Sequence, residues 1–350
     1  MTGGHFELGL NSFGDVASDG DGMLSDAETV RLLIEEVQLA EDVGLDIFSV
    51  GEHYREGQVD SASAVLLAAM SGVTDRIRLG TAVTVLSTND PVRLFHEFST
   101  LDAASNGRAQ LVLGRASATE SFPLFGYEIA EYEHLFEEKL ELFLQLRRGG
   151  PTTWSGSTRP ALTGQTLHPR LREGGVPTWI GVGGSPDSVV RAARHGLPLM
   201  MAIIGGKPQR FSGNVQLYER ALDQFGHAPQ PIGQHSLGLV APTDDEAREL
   251  WWESWQPVAK TIASERGFYA PTRERYAMEL DTGALFVGSP ETVARKIATM
   301  AQDLHLSRFD LKYDLLGLSK AARAQTIDLF GREVAPMVND LLTKEEAPHA

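Results

Sequence analysis

Apolar residues recur along this chain in two rhythms. Short runs rich in β-branched and aliphatic residues fall at 6–10, 46–50, 77–83, 109–114, 177–182, 197–204, 233–241 and 308–313. Such runs, bounded by turn residues, predict buried strands. Between them apolar positions repeat every three or four residues, as in Val30, Leu33, Ile34, Val37 and Ala40, or Val293, Ile297, Met300 and Leu304. That is the stripe of a helix with one buried face. Ser25 with Glu28, and Thr243 with Glu246, have capping-box spacing. Gly44 and Gly196 follow apolar stripes, where a left-handed residue ends a helix. Eight strand–helix units predict an α/β fold, a (β/α)8 TIM barrel. An open doubly wound sheet requires a glycine fingerprint after its first strand, and residues 11–26 carry none.

Two stretches depart from the plain barrel. Residues 149–175 hold Pro151, Pro160 and Pro169 and show no period, which predicts a lid or binding loop after the fourth strand. Helical patterns at 244–264 and 272–280 predict a second insertion, after the seventh strand. With no repeat and no linker, residues 1–350 form one expected domain, with 340–350 as a flexible tail.

Charge narrows the partners. Acidic residues outnumber basic ones by 47 to 31, a net −16, and such a surface repels nucleic acid and anionic membranes. No run of apolar residues is long enough for a membrane helix. The N-terminal MTGGHFELGL lacks the pattern of a signal peptide. The absence of cysteine excludes disulfides, thiolate metal sites and a cysteine nucleophile, and fits a cytoplasmic protein.

Candidate chemistry gathers where predicted strands end, the side on which ligands sit in parallel sheets. Arg115 follows Gly114 and precedes Ala116 and Ser117, a cation among small residues that suits an anion brought close to the backbone. In GVGGSPDSVVRAA (181–193) a strand ends in glycines, Ser185 stands at an N-cap position and Pro186 opens a helix. That arrangement binds phosphate or is simply a well-capped helix. VGSPETV (287–293) has nearly the same grammar. His53, in SVGEHYREG, is either a general acid or base or a hydrogen-bonded loop histidine; Glu52 either orients its ring or caps something. With no second histidine two residues away, no metal site is expected. Thr81, Ala82, Val83 and Thr84 would let a flat ring approach the backbone, or simply pack. Lys312 reads as a substrate contact or as a structural partner of Asp310 or Asp314, His235 and Ser236 as pocket lining or core, and Trp251, Trp252 and Trp255 as packing or a subunit contact.

These motifs resemble the luciferase-like flavin-dependent monooxygenases, the bacterial luciferase superfamily. FELGL, GEHY at 51–54, LGTAVTVLSTNDPVR, LDAASNGRAQLVLGR, GGSPDSVVRAARHGLPLM and GSPETVARKI stand in that family's order over nearly the whole chain. The resemblance implies FMN or reduced FMN at the C-terminal mouth of the barrel. Arg115 resembles the arginine that grips the flavin phosphate. Gly183, Gly184, Ser185 and Ser188 match the phosphate-binding turn. Ala82 and Val83, with Thr84 beside them, match a site where a non-proline cis peptide lies under the flavin ring, and His53 matches the catalytic histidine. Two positions depart from luciferase: Gly114 replaces a reactive cysteine and Asp90 a histidine, so light emission from long aldehydes is not implied. What is implied is a two-component monooxygenase, with a flavin reductase supplying reduced FMN, acting on a small organic substrate as a homodimer. F420-dependent hydride transfer and flavin binding without turnover are the alternatives.

Overall fold

The computed structural model describes residues 5–115, 119–266 and 271–346. Its strands are β1 (Glu7–Ser12), β2 (Ile47–Val50), β3 (Arg78–Thr81), β4 (Thr84–Val85), β5 (Leu111–Gly114), β6 (Thr152–Trp154), β7 (Leu162–Gln165), β8 (Thr178–Val182), β9 (Leu199–Ala202), β10 (Ile232–Val240), β11 (Phe286–Gly288) and β12 (Arg308–Lys312). All but β6 and β7 form one parallel sheet in the order β3-β2-β1-β12-β10-β9-β8-β5-β4, with β11 alongside β10. A bridge from Leu79 to Ala109 joins β3 towards β5 and closes the ring. Every run expected as a strand contains one, and the TIM-barrel expectation holds.

The helices are α1 (Asp26–Asp42), α2 (Ser63–Ser71), α3 (Pro91–Ala104), α4 (Ser121–Phe125), α5 (Tyr132–Arg147), α6 (Pro186–Arg194), α7 (Ser212–Gln224), α8 (Asp244–Arg266), α9 (Arg273–Asp281), α10 (Pro290–Asp303), α11 (Lys320–Leu329) and α12 (Ala335–Glu346). Their apolar faces bury Leu33, Val37, Phe98, Leu140, Val293 and Ile297 against the strands. The Ser25–Glu28 capping box starts α1, and Gly44 and Gly196 take the positive φ of helix-ending residues. Among the described residues no helix is long and apolar enough to cross a membrane.

Two features differ from expectation. Residues 149–175 contain an antiparallel hairpin, β6–β7, that lies along α5 rather than forming a structureless loop. Glu138 of α5 accepts hydrogen bonds from the backbone N–H groups of Ser157 (2.8 Å) and Thr158 (2.6 Å), and Arg159 Nε donates to Asp90 at 2.9 Å. The expected tail at 340–350 is helical through Glu346, because Val338 is fully buried and Leu341 and Leu342 pack on the core. The cis peptide that the resemblance implies is present between Ala82 and Val83, where the third strand divides into β3 and β4.

A buried charge network ties the strand exits to the outer helices. Arg323 of α11 donates from Nε and from a terminal nitrogen to the two oxygens of Glu36 on α1, both at 2.8 Å, and to the carbonyl of Asp15 at 2.8 Å. Tyr313 donates to Glu36 at 2.6 Å. Lys312 pairs with Asp15 and with Asp314, and Asp314 accepts from Ser12 Oγ at 2.6 Å. Lys312 is thus structural, with Asp314 as one of its partners; Asp310 pairs with Arg308 instead. Arg323→Met leaves the Glu36 carboxylate buried without its cation, and urea denaturation is expected to show a loss of about 3–5 kcal/mol. Adding Glu36→Gln to that variant should recover part of the loss.

Candidate functional site

The C-terminal strand ends surround a cavity of about 330 Å³. Its floor is the barrel interior, where Val112, Trp179, Met200 and Val83 pack together. The guanidinium of Arg308 lies 5.3 Å from the Trp179 ring centroid and forms a buried ion pair with Asp310. Ala82, Gly114, Gly181, Gly183 and Ala202 give the walls little side-chain bulk. Val83 explains two of these glycines. A Cβ at position 114 would stand 2.4 Å from Val83 Cγ2, and one at 181 would stand 2.8 Å from Val83 Cγ1. Glycine at 114, where the resemblance has a cysteine, is therefore the residue that Val83 leaves room for.

His53 lies on one wall with Phe13 and His235; the Phe13 ring centroid is 4.6 Å from that of His53 and 5.9 Å from that of His235. The residue that orients His53 is Asp60, not Glu52. His53 Nδ1 donates to Asp60 Oδ2 at 2.7 Å, and the His53 backbone N–H donates to Oδ1 at 3.2 Å. This leaves Nε2 as the unprotonated atom of the neutral ring. Gly51 makes room for the pair, since a Cβ there would be 2.6 Å from Asp60 Oδ2. Burial pushes the Asp60 carboxyl up to about 6, against the opposing pull of His53. Glu52 caps instead: it accepts from Tyr54 Oη (2.6 Å), the Val85 backbone N–H (3.0 Å) and Asn89 Nδ2 (2.9 Å).

His235 is buried and also lines the cavity. Asn11 Nδ2 donates to its Nδ1 at 2.7 Å, which places the ring proton on Nε2. Burial, with help from Lys312, His53 and Arg308, lowers its pKa to about 4, so the ring is neutral at neutral pH. Among the described residues, Asn11 Oδ1 is buried with no hydrogen-bond partner. Ser236 belongs to the core, donating to the Ile203 carbonyl at 2.6 Å. Trp252, Trp255 and Tyr276 pack as one aromatic cluster on α8 and α9, away from the cavity lining.

At the opposite wall Arg115 pairs with Glu133 and lies 4.8 Å from the Tyr132 ring centroid. Ala116 and Ser117 lie outside the described residues. Arg191 of α6 also pairs with Glu133, at 2.8 Å, and donates to Ser188 Oγ at 3.3 Å, so two guanidiniums share one carboxylate beside the start of α6. Ser185 at that start makes no side-chain cap bond. The similar segment at α10 is different: Ser289 accepts from the Thr292 backbone N–H, and Asp244 accepts from the Ser289 N–H at 2.7 Å and from Thr292 Oγ1 at 3.0 Å. A protein carboxylate already serves that helix end. Ala82, Val83, Arg115, Gly183, Ser185, Ser188 and His53 all line the cavity, whereas Thr84 and Gly184 do not. Thr84 is buried beyond the cis bond. Gly184 contributes a backbone turn, with φ of +118°. No residue of 149–175 lines the cavity, and the upper rim includes Tyr54, Glu120 and Ser121.

Comparison with known proteins agrees with the geometry. The family profile described as luciferase-like monooxygenase matches residues 11–307. The alkanal monooxygenase alpha chain of Photorhabdus luminescens is 26% identical over 251 residues, which is 66% of this chain and 66% of that one. Among solved structures, the oxygenating constituent of 3,6-diketocamphane monooxygenase from Pseudomonas putida, in complex with FMN, superposes with a TM-score of 0.76 at 19% identity, covering 95% of this chain and 98% of that one. An F420-dependent secondary alcohol dehydrogenase superposes with a TM-score of 0.74 at 18% identity, covering 96% and 99%.

The contact between Val83 and Gly114 is open to a double-mutant cycle. Gly114→Ala alone should cost about 1–3 kcal/mol in urea denaturation, and much less when introduced into a Val83→Ala background. Equal costs in both backgrounds would remove Val83 as the reason for the glycine.

Proposed function

Because the chain belongs to the luciferase-like monooxygenase family, we propose that it is an FMN-dependent, two-component monooxygenase. A separate flavin reductase would supply reduced FMN, and the substrate would be a small organic molecule. The observation that carries this reading is the cavity itself. Arg115 and an uncapped helix start stand on one wall, with Arg191 behind them on the shared Glu133; His53, held by Asp60, and a neutral histidine stand on the other, and an apolar floor lies between. A phosphorylated flat ring fits that layout. The phosphate would meet Arg115, Ser185, Ser188 and the N–H groups of the α6 start. The ring would lie over Ala82 and Val83, and elsewhere in the lining, beside His235, Asn11 Oδ1 is an acceptor without a donor among the described residues.

Bound FMN in its reduced form supplies the electrons that activate O₂ for oxygen transfer. The protein's own part is positional and protic. Asp60 holds His53 so that Nε2 accepts or returns a proton at the reacting centre. His235 offers a neutral Nε2–H. The apolar floor keeps water out. Arg115 shares its charge between Glu133 and the phosphate, while Arg191 keeps Glu133 in place. The net charge of −16 opposes a dianion at long range, so these local donors provide the attraction. The exposed apolar face of α2, with Val65, Ala68 and Ala69, supports a homodimer. The F420-dependent alcohol dehydrogenase shares the fold, which keeps hydride transfer with F420 as the second reading.

Titration separates the cofactors: FMN is expected to bind more tightly than F420. Arg115→Ala should weaken FMN by about tenfold or more and riboflavin far less. Equal weakening would remove the phosphate role. The His53 pair is tested through pH. Above about 6 Asp60 is ionised and accepts the His53 Nδ1–H; below it the carboxyl takes a proton and the orientation is lost. Oxidation of reduced FMN by O₂ should therefore rise with pH through an acid limb near 6. Asp60→Asn should abolish that limb, and His53→Ala should slow turnover by about 10²-fold or more, with FMN affinity preserved in both.

A further inference from the structure

The end of the barrel opposite the mouth holds a second cavity, of about 770 Å³. It lies between the C-terminal end of α5, the segment leading into β8 and the C-terminal end of α6. In a chain of net −16 its lining is basic: Arg147, Arg148, Arg170, Arg172 and Arg194, with Glu173 as the one carboxylate. Arg194 is paired with Glu137 at 2.6 Å and Arg172 with Asp102 at 3.5 Å. Among the described residues, Arg148 and Arg170 have no ion-pair partner. Arg147 Nε and His195 Nε2 are buried without a hydrogen-bond partner among the described residues. The charges register locally: burial lowers the basicity of His195, and Arg194, Arg191 and Arg148 add to it against the opposing pull of Glu137. The cavity is also roomy at its rim, where a Cβ at Gly149, Gly150 or Gly174 would meet nothing within 4 Å. Its inner wall is apolar, with Phe95, Leu144 and Leu197.

Like charges gathered in a partly enclosed volume repel one another, and a partly buried guanidinium donor without an acceptor is costly. An anion relieves both. Several guanidinium forks facing one volume match the oxygens of a tetrahedral phosphate better than a single carboxylate, and the volume falls in the range of small-ligand sites. We infer that this cavity binds an organic phosphate: its phosphate or diphosphate is held by Arg147, Arg148 and Arg170, and its less polar body lies against Phe95, Leu144 and Leu197. The site does not depend on the flavin reading, because it shares no residue with the mouth.

Calorimetric titration of the full chain tests this with ADP and inorganic pyrophosphate as probes. One ADP per chain is expected. Binding should weaken by about tenfold or more in the charge-reversed variant R148E/R170E, whose two positions are exposed. It should be unchanged in R115A at the mouth. Pyrophosphate should bind more weakly than ADP, since it lacks the body that the apolar wall receives. FMN affinity should be the same in wild type and R148E/R170E, which distinguishes failure here from failure of the flavin reading. Absence of saturable ADP binding at millimolar concentration, or ADP binding lost in R115A and retained in R148E/R170E, would overturn the inference. Equal affinity for ADP and pyrophosphate would overturn the role of the apolar wall.

Discussion

The barrel has to close at its third strand and open a binding floor at the same place, and side chains make both possible. Backbone groups buried in a sheet need partners. Between β3 and β5 a threonine supplies some of them: Thr81 Oγ1 donates to the Val112 carbonyl at 3.1 Å and accepts its N–H at 3.0 Å. One turn of chain later Glu52 accepts the Val85 N–H, and the Leu86 N–H reaches the Gly114 carbonyl at 3.1 Å. With the ladder completed this way, Ala82 and Val83 are free to depart from strand geometry and form the floor. The cavity walls then follow from Val83, whose methyl groups exclude a Cβ at both 114 and 181.

Much of this was legible in the amino-acid pattern. The eight strands were, because each is a short apolar run bounded by turn residues. The elements that escaped notice are too short or too exposed to leave such a trace. β4 is two residues beyond a backbone break, β11 is a three-residue segment within an insertion, and β6–β7 is a largely exposed hairpin whose prolines and threonines hide its alternation. Its position left no trace in the sequence for a physical reason as well. Disorder of pattern says that a segment is irregular but not where it lies, and the contacts that hold this one to α5 and α3 run through Glu138 and Asp90, two carboxylates with no sequence signature.

The site shows the same division. His53, Arg115 and the turn at 183–188 stand at strand exits, so position alone recommended them. Asp60 did not stand out, being a single acid in a loop seven residues from its partner, and the neighbouring Glu52 looked equally able to orient the ring. Only the fold separates the two, by sending Glu52 towards Val85 and Asn89 and placing Asp60 under His53. Arg191 was hidden in a different way. It sits one turn into α6 among residues that read as an ordinary amphipathic helix, and its relevance comes from Glu133, more than fifty residues away in the chain, which it holds together with Arg115.

The two serine–proline helix starts show why local grammar is not enough to identify an anion site. Both have Pro at the first helical position and Ser at the cap, and both therefore present the same surplus of N–H donors and the same positive end of a dipole. At α10 the surplus is consumed inside the protein, by the Ser289 hydroxyl and by Asp244 from the start of α8. At α6 the serine hydroxyl does not turn back to cap, and Ser185 and Ser188 line the cavity beside two guanidiniums. The distinction lies in whether a carboxylate of the fold accepts from the groups of the helix start itself, as Asp244 does at α10, or is held by guanidiniums beside it, as Glu133 is at α6. An anion from solution can compete only in the second case.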